Sequence, residues 1–177
     1  VGGRKHNSLS ISLWLSNYDI DGVGDAQQGI KSYGVSLGIG RRLKFPDDFF
    51  TLYNEVSYQY YVMDNYNVLG FSDGFANNLS FRHVLSRNSS GPSPIYPTTG
   101  STTTLTLQHT IPYSLFRPAD TDYDAMSPQE KNLYVEYHKW KFQTSWFSQL
   151  THGTRSFVLN TKAGFGYLGS FSKTLGT

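Results

Sequence analysis

Seven stretches of this chain, each about as long as a β-strand, alternate apolar with polar residues, and a period of two means strand rather than helix. The clearest runs from Asn7 to Ser16: Leu9, Ile11, Leu13 and Leu15 share one face, and Ser8, Ser10 and Ser12 the other. A second is predicted over Ser32–Leu43, with Tyr33, Val35, Leu37 and Ile39 opposite Gly34, Ser36, Gly38 and Gly40. A third, over 49–63, sets Leu52, Val56, Tyr58, Tyr60 and Val62 against Thr51, Glu55, Ser57 and Gln59. A soluble core would not accept that glutamate cheaply. The fourth (78–89) sets Leu79, Phe81 and Leu85 against Ser80, Arg82 and Ser86. The fifth (101–111) sets Leu105, Leu107 and Ile111 against Thr104, Thr106, Gln108 and Thr110. The sixth (133–148) places Trp140, Phe142 and Trp146 opposite Lys139, Lys141 and Gln143, and the seventh (155–168) places Phe157, Leu159, Phe165 and Tyr167 opposite Asn160, Lys162, Gly164 and Gly166.

Bare alternation also suits a soluble sandwich, so the connections matter. If successive strands pair as hairpins, one end of the sheet holds short turns near 44–48, 95–101 and 149–154. The other end holds long polar loops over 17–31, 64–77 and 114–131. Short turns on one side and long loops on the other is the asymmetry of a transmembrane β-barrel. Seven is odd, and an unpaired strand edge in lipid leaves backbone groups without partners. The chain is therefore expected to be one part of a larger barrel.

Composition narrows the field further. The chain has 28 aromatic residues (Tyr 13, Phe 12, Trp 3) in 177, no cysteine, and a mean hydropathy of −0.41. No segment approaches the roughly 20 apolar residues of a membrane helix, whereas a spanning strand needs only about 9–11, half of them apolar. A net charge of +2 with a pI near 8.7 is too mild and scattered for a nucleic-acid surface. The first residues lack the basic-then-apolar order of a signal peptide, so a preceding portion is expected outside this chain.

Several ordered motifs carry a resemblance. They are Gly2-Gly3-Arg4-Lys5 before Asn7–Leu13, Tyr33-Gly34-Val35-Ser36-Leu37-Gly38 with Arg41-Arg42-Leu43, Asn54-Glu55-Val56-Ser57-Tyr58-Gln59-Tyr60-Tyr61, Ser86-Arg87-Asn88-Ser89, and Tyr96-Pro97-Thr98-Thr99-Gly100-Ser101. In this order they resemble the barrel of the BamA family of outer-membrane protein assembly factors. The resemblance implies a sixteen-stranded barrel preceded by periplasmic POTRA domains, with this chain as roughly strands five to eleven. The family's Val-Arg-Gly-Phe loop motif is absent. What the resemblance implies is barrel wall, lumen and outer loops of a non-enzymatic insertase in the bacterial outer membrane. Its partners would be outer-membrane lipids, nascent outer-membrane proteins and accessory assembly subunits, with no cofactor and no nucleic acid. A porin or secretion-type transport barrel is the alternative.

Candidate sites follow from the faces. Leu9, Ile11, Leu13, Leu37, Leu107, Trp140, Phe142 and Phe165 are the lipid-facing candidates, and Glu55, Arg82, Lys139, Lys141 and Lys162 the lumen-facing ones. A water-filled lumen would hold those charges at little cost, whereas a dry one would have to pair them with an inserted plug. Asn54 and His83 fall on the apolar face, and a bulge, an interface position or a shifted register would each account for them. The five histidines (His6, His83, His109, His138 and His152) lack metal-ligand spacing, and no nucleophile elbow is present; a lipase-like pairing of His83 or His109 with a strand serine is the enzyme reading. Asp19, Asp21 and Asp25 around Gly22 and Gly24, and Asp120, Asp122 and Asp124, hint at calcium loops. Ile30 and Lys131 stand where the bidentate glutamate belongs, so solvated loops are the expectation and no metal is assigned.

Overall fold

The computed structural model describes residues 7–21, 27–67, 70–118, 121–151, 153 and 156–171. Alternation has produced an all-β chain: β1 (Asn7–Asp21), β2 (Gln27–Arg42), β3 (Phe50–Asp64), β4 (Gly74–Asn88), a two-residue β5 (Gly91–Pro92), β6 (Pro97–Thr110), β7 (His138–Gln149) and β8 (Val158–Gly169). They form one antiparallel meander in the order β1-β2-β3-β4-β6-β7-β8, with β5 beside β6. The sheet is open. β1 and β8 each have one neighbour and do not pair with each other, so the sheet does not close into a barrel.

The strands differ from their predicted ends in an instructive way. β1 and β2 continue as a ladder through Asn17↔Lys31 and Asp19↔Gly29 to Asp21↔Gln27, so most of the loop expected over 17–31 is strand. Loss of apolar alternation marked the end of the apolar band, not of the ladder, because backbone hydrogen bonding does not depend on what the side chains face. β4 likewise begins at Gly74. The expected contrast in connection length shrinks accordingly. Only the β6–β7 connection, 111–137, is much longer than the turns at the other end.

The sixth predicted strand is corrected at its start: β7 begins at His138, not Leu133. β6 pairs with β4 only from Ser80 to Asn88, so the start of β4 has no β6 neighbour. Pro112 lacks an N–H and turns the chain into a 3-10 turn at Tyr113–Phe116. Residues 133–135 return to fill the gap. Asn77 N–H donates to Leu133 O at 2.8 Å and Val135 N–H donates to Asn77 O at 2.9 Å, in a parallel bridge. On the way the chain makes a short helix, α1 (Pro128–Lys131), closed by a reciprocal capping box between Ser127 and Glu130.

Among the described residues the buried apolar side chains are few: Met63, Phe71 and Ala76, with Ile30, Tyr61 and Val135 packed against them. This small cluster sits at the loop end of the sheet, where the β3–β4 and β6–β7 connections meet the strands. Among the described residues the sheet has no second layer.

Candidate functional site: the two faces of the sheet

An unbroken register lets each face be followed across the strands. One face carries the ladder pairs Leu9↔Ile39, Ile11↔Leu37, Leu13↔Val35, Val35↔Tyr58, Leu37↔Val56, Val56↔Phe81, Leu85↔Leu105, Leu105↔Phe142, Leu107↔Trp140 and Phe142↔Phe165. All eight lipid-facing candidates lie on it, and all but the half-buried Leu107 are exposed: Leu13 is 79% exposed and Phe165 64%. Aromatic rings gather towards the loop end, with Tyr60 6.5 Å from Tyr33 and 5.8 Å from Phe75. Exposed Phe45, Ile95, Tyr96 and Phe157 mark the turn end. The middle of the face is aliphatic on β1 and β2 and aromatic on β7 and β8, with Trp140, Phe142 and Phe165.

Opposite lies a polar face. Its middle is a hydrogen-bonded network: Ser10 Oγ lies 2.9 Å from Tyr53 Oη, Tyr53 donates to Glu55 Oε2 at 2.7 Å, and Arg82 Nη2 meets the same carboxylate oxygen at 3.0 Å. The Arg82 guanidinium also lies 5.6 Å from the centre of the Tyr53 ring. Sequence reading put Glu55 and Arg82 on one face but missed that they pair, since Glu55↔Arg82 is a cross-strand contact fixed by register. Serines and threonines extend the network sideways, Ser57 to Ser80 at 2.8 Å and Ser86 to Thr104 at 3.2 Å. Buried Arg82 Nε and Asn78 Oδ1 have no hydrogen-bond partner among the described residues.

The glycines of β2 have a structural reason on this face. A Cβ at Gly34 would run into the Trp14 indole, and one at Gly38 into the Tyr53 hydroxyl. Large rings on the flanking strands therefore lie over bare backbone. Beyond this network, Lys139, Lys141 and Lys162 share the same face, opposite Leu168, Gly166 and Ser145 respectively, and are exposed. Among the described residues none of the three has an ion pair.

Asn54 and His83 are directly opposed on the apolar face. The β3–β4 register runs without a shift from Phe50↔Arg87 to Met63↔Gly74, which removes the bulge and shifted-register explanations. They satisfy each other: His83 Nδ1 lies 2.7 Å from Asn54 Oδ1. His109 stacks between Phe81 and His83, 5.5 Å from each ring, and faces His138 across the next ladder. His83 thus meets an amide, where the enzyme reading wanted a serine. His6 and His152 lie outside the described residues.

The acidic loops also find local explanations. Asp19 Oδ2 accepts from Asn17 Nδ2 at 2.6 Å, and Asp122 Oδ1 accepts the N–H groups of Asp124 and Ala125 at 3.0 and 3.3 Å. Gly22, Gly24, Asp25 and Asp120 lie outside the described residues. No group of three histidine or acidic side chains suited to a metal occurs among the described residues. In the β6–β7 connection, Glu136 accepts both the N–H and the hydroxyl of Ser114 at 2.7 Å. Burial pushes the Tyr113 phenol up, with Tyr134, Glu136 and Tyr58 adding to it.

No protein-family model matches this chain, and comparison with curated proteins gives no match.

Proposed function

We propose that this chain is a section of wall in a bacterial outer-membrane β-barrel, of the kind that folds and inserts nascent barrel proteins. One observation carries the membrane part: the apolar face of the sheet is exposed on β1, β2, β7 and β8 and part-exposed on β3, β4 and β6, while the polar and charged face lies opposite, the reverse of a soluble β-fold. On this reading Leu9, Ile11, Leu13, Leu37, Leu107, Trp140, Phe142 and Phe165 meet lipid. Glu55, Arg82, Lys139, Lys141 and Lys162 meet the lumen. The open edges of β1 and β8 then call for further strands of the same barrel, since lipid satisfies no backbone donor.

Assembly, as the specific activity, is supported by the ordered motifs from Asn7 to Ser101 that resemble the BamA family. Nascent barrels, outer-membrane lipids and accessory subunits are the partners it implies, and no catalytic group is assigned. Transport is the second reading, favoured by three unpaired lysines on one wall, which would draw anions through a wet lumen. Depleting the protein that carries this chain separates the two. Assembly predicts a fall in folded, heat-modifiable barrels across unrelated clients; normal client levels with a lost solute flux would leave transport as the answer.

A further inference from the structure

One end of β2 has a chemistry that a passive wall does not use. Arg41, Arg42, Leu43, Lys44 and Phe45 line an open crevice of about 420 Å³ where the strand leaves the sheet. Three cations and no carboxylate line it. The nearest acids are directed elsewhere: Asp47 Oδ2 takes the Arg87 guanidinium at 2.9 Å, its Oδ1 accepts the Phe49 N–H, and Asp48 is outside the lining. Arg42 Nε donates to the Asp48 carbonyl at 2.5 Å, which fixes the guanidinium in place. Arg41 follows Ile39 at the end of the apolar run of β2, opposite Leu52 of β3. Among the described residues neither Arg41 nor Lys44 has an ion pair. Phe45, 85% exposed, carries apolar surface past the cations.

Cations at the rim of an exposed apolar band, with Leu43 and Phe45 in the same crevice, fit a molecule that is anionic at one end and oily next to it. We propose that this crevice binds the phosphate of an anionic phospholipid in the leaflet on the turn side. The Arg41 guanidinium grips phosphate oxygens, Lys44 supplies a further charge, and the two apolar side chains meet the start of the acyl chains. Free phosphate would gain nothing from Leu43 or Phe45. The inference rests on the wall reading above.

The test uses the full-length protein in phosphatidylcholine vesicles, with a fluorophore on a cysteine replacing Asn7, which faces Arg41 across the β1–β2 ladder. This chain has no cysteine of its own. Trace lipid spin-labelled near the glycerol, either phosphatidylglycerol or phosphatidylcholine, then reports enrichment by quenching. Phosphatidylglycerol should quench several-fold better, and Arg41→Gln with Lys44→Gln should bring the two lipids to near-equal quenching. Arg41→Lys with Lys44→Arg should retain it, and excess inorganic phosphate should leave it unchanged. Equal quenching by the two lipids overturns the inference, as does loss of the preference to inorganic phosphate or its survival in the glutamine variant. A second fluorophore at Leu13→Cys, read with lipid labelled at the acyl-chain end, checks insertion of each variant. If that signal is absent in the otherwise unmodified protein the wall reading fails; if it is present without a lipid preference, only the crevice assignment fails.

Discussion

Leu13 and Ser12 are neighbours in the chain, yet they belong to opposite faces of β1, and an arginine should tell them apart. A charge facing lipid near mid-bilayer costs about 2–4 kcal/mol, while one in a wet lumen costs little. Leu13→Arg and Leu107→Arg in the full-length protein are therefore expected to reduce the heat-modifiable folded form strongly, and Ser12→Arg and Thr106→Arg to leave it nearly intact. Equal tolerance of the two pairs would remove the membrane assignment. Gly34→Val should also lower the folded yield, because Trp14 occupies the space over that glycine. Facing was readable in the sequence, since alternation is a property of each strand alone. The Trp14–Gly34 contact, the Glu55–Arg82 pair and the Asn54–His83 bond were not, because each joins residues on different strands and depends on register. Gly100 is intermediate. Its φ of 87° strains any residue with a Cβ, and its place in the Tyr96–Ser101 turn motif was visible beforehand.

Strands and connections follow a different logic. The number and order of the seven long strands were readable from the pattern and the two-residue β5 was not, while strand ends were misjudged wherever ladder pairing outlasted amphipathic alternation, as in β1 beyond Ser16. The β6–β7 connection was the least readable, since its path is set by the gap beside β4 and by contacts far apart in sequence, such as Asn77 with Leu133 and Val135. Sidedness tests the two ends directly. Cysteines at Ser72 and Asp122 should react on intact cells with a reagent too large to cross the membrane, and those at Asp47 and Thr99 only after the envelope is opened. Labelling at Thr99 on sealed cells would reverse or refute the orientation. The capping box at α1 makes a pH-dependent prediction. Hydrogen bonds from the Ser127 backbone and side chain hold the Glu130 carboxyl below its usual value of 4.5, so its contribution is present at neutral pH and is lost as pH falls through the folded value. Protection against hydrogen exchange at 127–131, taken relative to the unstructured peptide at the same pH, should fall under acid, and Glu130→Gln should remove most of that acid sensitivity. An unchanged protection factor in acid would show that the cap contributes nothing to the local order.

As a molecule, the chain is one layer with two unfinished edges. Expressed alone in detergent, it is expected not to yield the compact, heat-modifiable species of closed barrels, and a stable monodisperse monomer with full β-content would show that the sheet closes by itself. That the chain forms an antiparallel meander was readable from the sum of its strands; that β1 and β8 do not meet required coordinates. The ladder of β1 with β2 continues for five residue pairs past Ser16↔Ser32, about 17 Å of stiff ribbon at 3.3 Å per residue. In the proposed orientation that ribbon projects above the lipid like a mast. An antibody or phage arriving from outside would then read side chains of two strands together, such as Asn17 beside Lys31. Recognition of this segment should be conformational, and a linear peptide of the same residues should compete poorly for it.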